Sequence, residues 1–261
     1  MNSDSHPDQK RPGAAIRFQA VSRSFADTGL VLDQISFQVE AGEFVAVLGP
    51  SGSGKSSLLR LTAGLDRPDG GQLAIDAANR MLSRGFVFQD ATLMPWRTVL
   101  RNTTLPLELA GWSRTDAESR ATEELRRVRL DEFGARYPHQ LSGGMKMRTS
   151  VARALTTRPN LLLLDEPFAA LDEPTRHSLQ MQLREIWLAL GMTVLFVTHS
   201  VNEAVFLADR VIILSHRPAR LLLDQNISLP EKREAELRTS MAYVEQVRRI
   251  GAAMPVSGDA A

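Results

Sequence analysis

The sequence predicts an α/β fold with a mixed central sheet, an antiparallel β subdomain and a helical subdomain. Short and almost wholly apolar runs, such as EFVAVLG, LLLLDEP and TVLFVTH, are typical of strands that are buried on both faces of a sheet. Segments with a helical spacing of apolar residues lie between these runs, and this alternation favours parallel strands. The first two strand-like runs, IRFQAV and ISFQVE, have no helix between them, so we expect an antiparallel sheet beside the parallel core.

Composition limits the classes of protein to be considered. The chain has 261 residues, of which 43% are hydrophobic, and this is enough for a substantial core. Its formal net charge is +1, which gives no sign of a nucleic-acid partner. The sequence contains no cysteine, so disulfides and zinc–thiolate sites are excluded. No uninterrupted apolar run reaches the roughly 20 residues that span a bilayer.

We predict three regions along the chain. Residues 1–15 are polar and are expected to form a disordered tail. Residues 16–230 form the folded domain, in which a mostly helical subdomain covers about 92–157. Residues 231–261 are expected to form a charged amphipathic helix and a tail. The apolar side of that helix, expected to pack on the body, would carry Leu237, Met241 and Val244.

The run GPSGSGKS lies directly between a predicted strand and a predicted helix, and it matches the phosphate-binding pattern G-x-x-x-x-G-K-[ST] of P-loop NTPases. Its glycines let the backbone turn with positive φ, so that successive N–H groups and a helix N-terminus face an anion. Lys55 adds a full positive charge, and Ser56 adds a hydroxyl ligand for Mg²⁺. A glycine-rich turn that matches by chance is the alternative, and the strand–helix context disfavours it. The predicted nucleotide-binding residues are Gly49, Pro50, Ser51, Gly52, Ser53, Gly54, Lys55, Ser56 and Ser57.

The run LLLLDEP places two carboxylates at the end of a buried strand. Ligands of open α/β sheets bind at the carboxyl ends of the strands. We therefore expect Asp165 to hold Mg²⁺ through water and Glu166 to act as general base on the attacking water. A merely solvated Asp-Glu pair is the alternative, and the phosphate loop in the same chain argues against it.

These motifs and the run LSGGM resemble those of ATP-binding-cassette (ABC) ATPases in order and approximate spacing, over about residues 16–225. LSGGM is similar to the signature motif of that family, usually LSGGQ. The resemblance implies the ABC ATPase fold and the cofactors ATP and Mg²⁺. It also implies that Ser142, Gly143 and Gly144 close over the γ-phosphate of a nucleotide held by a second copy. Met145 and Met147 depart from the usual glutamines, and we expect Met147 to be buried.

The resemblance assigns roles to four further residues. Gln89 would contact Mg²⁺ and the attacking water, and would link the nucleotide to the helical subdomain; the alternative is a glutamine that caps a strand. His199 would contact the γ-phosphate. Asp172 would lie in the loop that crosses the dimer interface, and it can also serve as a helix N-cap. Phe25 is the candidate for stacking on adenine, although a loop aromatic can equally pack internally, and Phe18 is expected in the core.

The segment DATLMPWRTV follows Gln89 and carries three large apolar residues in a turn around Pro95. In ABC importers this region receives a helix of the membrane subunit, and Leu93, Met94 and Trp96 suit such docking. Internal packing within the helical subdomain is the alternative for each of them. The words MPWRTV and LSGGM resemble the nitrate/sulfonate/taurine branch of bacterial importers.

The resemblance therefore implies a homodimer, integral-membrane permease subunits and, indirectly, a solute-binding protein, at the cytoplasmic face of the inner membrane and without nucleic acid. Rival hypotheses are an exporter ATPase subunit, an ABC-type ATPase of DNA repair or chromosome maintenance, and a two-cassette translation factor. The interval between the nucleotide motifs is too short for the coiled coil of the repair proteins, and only one cassette is present. A regulator with an inactive site is disfavoured because Lys55, Asp165, Glu166 and His199 are all present.

Overall fold

A computed structural model describes residues 13–78 and 80–255, and within them the chain forms two sheets surrounded by helices. The strands are β1 (Ala15–Phe25), β2 (Gly29–Val39), β3 (Phe44–Leu48), β4 (Gly70–Asp76), β5 (Arg84–Val87), β6 (Leu161–Asp165), β7 (Thr193–Val197), β8 (Arg210–Leu214) and β9 (Leu221–Asn226). The α-helices are α1 (Lys55–Ala63), α2 (Val99–Leu109), α3 (Arg114–Arg127), α4 (Gly143–Leu155), α5 (Glu173–Leu190), α6 (Val201–Leu207) and α7 (Met241–Ala252). Short 3₁₀ helices cover Asp131–Phe133, Pro138–Gln140 and Ala235–Thr239.

The larger sheet has the strand order β5-β6-β7-β3-β8-β9, in which only β9 runs antiparallel to its neighbour. The smaller sheet has the order β2-β1-β4 and is antiparallel throughout. The prediction of a mixed sheet beside an antiparallel one is confirmed. β4 and β9 were not predicted, because their sequences GGQLAID and LLLDQN are short and only half apolar, and both become strands by pairing at a sheet edge.

The larger sheet separates two apolar cores, because alternate residues of a strand point to opposite faces. On one face, Phe44, Ala46 and Leu48 of β3 pack with residues of the helices α4 to α7. On the other face, Val45 and Val47 pack with α1 and the antiparallel sheet. Both faces of the parallel strands are covered, which explains their almost wholly apolar sequences.

The carboxyl ends of three adjacent strands meet at one edge of the larger sheet. β6 pairs with β7 up to Asp165 and Val197, and β3 pairs with β7 up to Val47 and Val197. The loops that follow β3, β6 and β7 consequently leave the sheet side by side. This edge is where the predicted phosphate loop, carboxylates and histidine lie.

The folded region begins earlier than predicted. The expected tail reached residue 15, but Ala14 is fully buried and β1 already starts at Ala15. Ala14 donates a backbone hydrogen bond to Asn160 (3.0 Å) and accepts one from the Thr193 hydroxyl (2.7 Å). These long-range bonds fix residues 13–15, and nothing in their local sequence indicates them. The rest of the predicted tail, residues 1–12, lies outside the described residues, as do residues 256–261 of the predicted C-terminal region.

The C-terminal helix buries a different side from the predicted one. Met241 and Val244 are 81% and 49% exposed, whereas Tyr243 and Ile250 are buried against the body. The prediction assumed one continuous helix after Pro230. Leu237 does pack against the core, but it lies in the separate 3₁₀ helix Ala235–Thr239. Ser240 instead caps a new helix, its hydroxyl accepting a bond from the Tyr243 N–H (3.2 Å), and this sets a different helical register.

A buried carboxyl group lies within α3, and its arginine partner joins this helix to the end of α4. Glu124 is fully buried, and its Oε1 lies 2.6 Å from Arg120 Nη2 and 3.5 Å from Arg127 Nε. Arg120 also donates to the Thr156 carbonyl (3.2 Å) beyond α4. Burial raises the pKa of Glu124 to about 7, although both arginines act in the opposite direction.

This raised pKa predicts a specific pH dependence of stability. Because the folded protein holds the Glu124 proton more tightly than the unfolded chain, its contribution is greatest below the ordinary pKa of 4.5 and falls as pH rises through about 7. Relative to Glu124→Gln, the wild type should lose at most about 3 kcal/mol of unfolding free energy between about pH 4.5 and 8. Denaturant unfolding across that range measures the difference. A wild type that instead gains stability over Glu124→Gln as pH rises would show that the arginines, and not burial, dominate.

Candidate active site

The phosphate-binding loop connects β3 to α1, as its motif predicts. Gly52 and Gly54 have φ angles of 76° and 97°, which side-chain-bearing residues rarely adopt. A Cβ atom at position 54 would also lie 2.8 Å from side-chain carbons of both Val31 and Leu32 in β2. Glycine is therefore required at position 54 by the backbone conformation and by the close approach of the antiparallel sheet.

Lys55 is the first residue of α1, and its ammonium group is buried inside the loop. Its Nζ donates to the carbonyls of Gly49 (2.9 Å) and Pro50 (2.8 Å) and lies 3.9 Å from Glu166 Oε1. Burial lowers the pKa of Lys55, and the charges of Glu166 and Asp165 oppose this change. The loop thus presents a positive charge together with a helix N-terminus, an arrangement suited to phosphate.

The serines of the loop differ in their surroundings. Ser51 is exposed, Ser57 is half-buried, and Ser53 is almost completely buried. The Ser53 hydroxyl has no hydrogen-bond partner among the described residues. An unpaired buried hydroxyl is costly, so its presence here fits a loop that is completed by a polar ligand.

Ser56 and Asp165 meet across the site although they are 109 residues apart in sequence. The Ser56 hydroxyl donates to Asp165 Oδ1 at 3.0 Å. Burial is the main cause of the raised pKa of Asp165, with a further contribution from Glu166, while Ser56 and Lys55 act in the opposite direction. A hydroxyl and a carboxylate oxygen in contact are the hard ligands that Mg²⁺ prefers, so these residues fit that ion.

Glu166 and His199 form a pair at the ends of β6 and β7. Glu166 Oε2 lies 2.9 Å from His199 Nδ1, and its other oxygen faces Lys55. The backbone of Glu166 has a φ of 45°, and its N–H donates to the Val197 carbonyl (3.0 Å). A strained backbone of this kind is costly and is often retained at functional sites. Here it aims the carboxylate between a lysine and a histidine.

Gln89 and Phe25, two of the predicted site residues, lie outside this cluster. Gln89 follows β5, and its side chain is exposed, with no hydrogen bond to the residues of the cluster in the described part of the chain. Phe25 ends β1, is half-buried, and lies under the Arg23 guanidinium, 4.6 Å from its ring centroid. The roles of Gln89 and Phe25 stay predictions, whereas Phe18 is buried in the core as expected.

The signature residues lie at the start of α4 in the helical region. The Ser142 hydroxyl caps this helix by accepting a bond from the Met145 N–H (3.3 Å). Ser142 and Gly143 are exposed, and Gly144 packs on Thr175 of α5. No hydrogen bond or ion pair joins Ser142 to the phosphate loop of the same chain within residues 13–78 and 80–255. Met147 is buried in the core, as the sequence predicted.

Asp172 is the N-cap of α5. Its carboxylate accepts a bond from the Thr175 N–H (3.0 Å), and this bond is the largest cause of its lowered pKa. The side chain is exposed, so capping leaves one face of the carboxylate open. The N-cap role is therefore present, and it is compatible with an exposed role at an interface.

Two polar residues that the sequence analysis missed, the buried Asn102 and the half-buried Arg153, shape the segment after Gln89. Asn102 accepts a bond from the Met94 N–H (2.7 Å) and donates to three carbonyls between residues 94 and 98. Arg153 of α4 donates to the carbonyls of Ala91 and Thr92, both at 2.9 Å. An asparagine near the start of α2 and an arginine beside the apolar stripe of α4 were the available signals.

The fold and the site define a P-loop nucleotide hydrolase: a phosphate loop, a hydroxyl–carboxylate pair and a glutamate–histidine pair meet at one edge of a mostly parallel sheet. A family model described as "ABC transporter" matches residues 32–169, more than half of the chain. The chain belongs to the ABC transporter ATPase family, whose members bind ATP and hydrolyse it to drive transport.

Several named proteins are similar to this chain over most of their length. The nitrate import ATP-binding protein NrtD of Synechocystis sp. is 44% identical over 78% of this chain and 78% of its own. The aliphatic sulfonates import ATP-binding protein SsuB of Bacillus cereus is 41% identical over 85% and 90%. The taurine import ATP-binding protein TauB of Rhizobium johnstonii is 44% identical over 73% and 74%. The predicted likeness to this branch of importer ATPases is confirmed.

A solved structure shares both sequence and fold. The ATP-binding cassette MJ0796, described as a dimer in a post-hydrolysis state bound to ADP and Pi, superposes with a TM-score of 0.71 at 29% identity. The match covers 82% of this chain and 100% of that one. The predicted ABC ATPase fold is confirmed. No helix among the described residues is long and apolar enough to cross a membrane.

The packing of Gly144 predicts a rescue experiment. A Cβ atom at position 144 would overlap Thr175 Cγ2, so Gly144→Ala should lower the unfolding free energy by about 1–3 kcal/mol. Thr175→Ser removes that methyl group and should restore much of the loss in the double variant. Denaturant unfolding of the wild type, the two single variants and the double variant measures these unfolding free energies. A double variant no more stable than Gly144→Ala would contradict this contact as the cause.

Proposed function

We propose that this chain is the ATP-hydrolysing subunit of an importer, in which two copies close on two MgATP molecules and drive separate membrane subunits. The observation that carries the proposal is the meeting of Lys55, Ser56, Asp165, Glu166 and His199 at one sheet edge. The solutes named for the similar proteins, namely nitrate, aliphatic sulfonates and taurine, define the solute class we propose.

In the proposed mechanism, the phosphate loop binds the nucleotide first. The N–H groups of residues 51–57 and the Lys55 ammonium hold the β- and γ-phosphates, and Phe25 stacks on adenine. Ser56 and Asp165 would hold Mg²⁺, with Gln89 as a further ligand, and the ion would neutralise charge that develops on the phosphates. Desolvation of the buried lysine strengthens its attraction for the phosphates.

Hydrolysis then depends on the pair at the ends of β6 and β7. Glu166 orients the attacking water and accepts its proton, as a general base must lie within hydrogen-bond reach of that proton. His199 holds the carboxylate through Nδ1 in the structure, and its ring can turn to the γ-phosphate when a nucleotide is bound. Lys55 lies close to the Glu166 carboxylate, and its ammonium group can exchange this contact for one with a phosphate when a nucleotide binds.

A second copy completes each site in this proposal. Ser142 and Gly143 are exposed and are not bonded to their own phosphate loop, so their N–H groups and the start of α4 are free to face another nucleotide. Gly144 stands behind them, against α5. Asp172 lies exposed at the beginning of α5 and would meet the same partner.

A mixing experiment distinguishes this arrangement from a site completed within one chain. Ser142→Arg should bind ATP but not hydrolyse it, and Lys55→Ala should fail to bind ATP. In a mixture, Lys55→Ala supplies an intact signature to the intact phosphate loop of Ser142→Arg. Activity should therefore return, up to roughly a quarter of the wild type if copies exchange at random. A mixture as inactive as its components, with copy exchange verified by labelled chains, would contradict the shared site.

The membrane subunits would dock beside Gln89. Trp96 is 73% exposed in the segment that Asn102 and Arg153 hold, and Phe88 is 40% exposed just before Gln89. Leu93 is partly buried in the core, so the internal-packing alternative applies to it more than to Trp96. We propose that Trp96 enters an apolar contact with the permease, and that the chain thereby lies on the cytoplasmic face of the inner membrane.

Replacement of Trp96 tests the docking role. Trp96→Ala should keep the basal ATPase activity of the isolated chain and lose its stimulation by co-purified permease, because a buried aromatic at an interface is often worth 2 kcal/mol or more. Leu109→Ala is a matched control, since Leu109 is 81% exposed at the other end of α2. Equal loss of permease stimulation in Trp96→Ala and Leu109→Ala would contradict the docking site.

Uptake by vesicles that contain permease and solute-binding protein identifies the solute, with nitrate, taurine and aliphatic sulfonates as the compounds screened. Outward transport in these vesicles would favour an exporter.

A further inference from the structure

A pair of charged side chains outside the family motifs joins two segments of the active site. Arg176 lies in the first turns of α5, after the segment that leads from Glu166 to Asp172. Glu203 lies in the first turn of α6, after the loop that carries His199. Arg176 Nε and Glu203 Oε1 are 3.7 Å apart, so the two helix beginnings are linked by an ion pair.

On one side, Glu203 holds the loop of the histidine. The Thr198 hydroxyl donates a 2.6 Å bond to Glu203 Oε2, and the carboxylate is almost completely buried. Thr198 immediately precedes His199 and also accepts the Ser200 N–H (3.0 Å). A glutamate three residues after a serine N-cap ordinarily reaches back to the backbone N–H of that serine. Here Thr198 takes that N–H, so Glu203 fixes the histidine loop through a side chain.

On the other side, Arg176 holds the turn that follows Glu166. Its Nη2 donates to the Leu171 carbonyl (2.7 Å) and its Nε to the Phe168 carbonyl (3.3 Å). The backbone N–H of Arg176 bonds the carbonyl of Asp172 (2.9 Å). One guanidinium therefore fixes the whole turn between Glu166 and α5, and a lysine could not make both carbonyl bonds in the same plane.

The electrostatic surroundings favour retention of this pair. Burial raises the pKa of Glu203, while the Thr198 hydroxyl and Arg176 lower it, in that order of importance. Removal of Arg176 would leave a buried carboxylate with a single hydrogen bond, which is a costly arrangement. The position of Glu203, and with it that of Thr198, thus depends on Arg176.

We propose that Arg176 and Glu203 are positioning residues for ATP hydrolysis, which set the His199 loop according to the position of the turn from Phe168 to Asp172. When the turn moves, the ion pair moves Glu203 and Thr198, and the His199–Glu166 contact changes with them. If Asp172 meets a second copy as proposed above, arrival of that copy is signalled to His199 by this route. That last step rests on the proposed function, whereas the positioning of His199 within one chain does not.

Kinetics of four variants measure the link. Glu203→Gln and Arg176→Gln should each lower kcat about tenfold and leave the KM for ATP within about twofold, because neither residue is expected to touch nucleotide. The double variant should be no slower than the slower single variant, since each substitution breaks the same connection. Arg176→Lys, which keeps the charge but not both carbonyl bonds, should lie between the wild type and Arg176→Gln.

The imidazole nitrogen signals of His199 provide a readout that needs no turnover. The chain has five histidines, so ¹⁵N spectra are simple and His199→Gln assigns the signal. In the wild type the Nδ1 signal should carry the shift of a hydrogen-bonded nitrogen. In Glu203→Gln and Arg176→Gln it should move towards its position in Glu166→Gln. Arg210→Gln is the control: it breaks ion pairs with Asp224 and Glu43 near the amino end of β8, and should change neither kcat nor this signal.

Three results would overturn the proposal: multiplicative losses of kcat in the double variant, an unmoved His199 signal in variants that have lost activity, or an equal loss of activity in Arg210→Gln. If Glu203→Gln does not fold, Arg176→Gln decides alone, because Arg176 is one-third exposed and its replacement is better tolerated. The His199 signal and the kcat of Arg176→Gln are then compared directly with those of the wild type. Retention of permease stimulation in Trp96→Ala would count against the docking proposal and would leave this result unaffected.

Discussion

The parallel pairing of β6, β7 and β3 is the constraint on which the site depends. Because these strands end together, the phosphate loop after β3, the carboxylates at the end of β6 and the histidine after β7 lie at the same edge of the sheet. The Glu166 N–H even continues the ladder by bonding the Val197 carbonyl. A shift of one residue between β6 and β7 would turn Asp165 to the other face of the sheet, and would separate Ser56 from its carboxylate partner.

The meeting of these groups at one edge of the sheet is electrostatically unfavourable by itself. Burial lowers the pKa of Lys55 and raises that of Asp165, so both groups are held away from the water that would stabilise their charges. The left-handed backbone of Glu166 adds strain. Phosphates and Mg²⁺ would compensate these charges, and binding is thereby favoured at a site that is already shaped for them.

The sequence predicted the motif-bearing parts of the molecule well, because their chemistry is local. The phosphate loop, the strand that ends at Asp165 and the antiparallel subdomain could be read from short patterns. The edge strand β4 and the burial of Ala14 could not, since each depends on a partner distant in sequence. The edge strand β9 and the register of α7 were missed although their partners are near in sequence, β8 for the strand and the Ser240 cap for the helix. Arg176, Arg153 and Asn102 were missed because their roles come from backbone carbonyls that only the folded chain brings to them. Glu203 was missed because its partners are the Thr198 hydroxyl and the Arg176 guanidinium.

We propose that each chain carries two separate half-sites, one at the phosphate loop and one at the signature, and that they serve different nucleotides. The absence of native cysteines allows a direct distance measurement. Ser51→Cys and Ser142→Cys, both at exposed positions, are mixed with ATP and oxidised, and the products are separated by size under denaturing conditions. A covalent dimer that forms only in the mixture, and not with either variant alone, is predicted. A mixture that stays monomeric, together with an intramolecular disulfide in the Ser51→Cys/Ser142→Cys double variant, would contradict it.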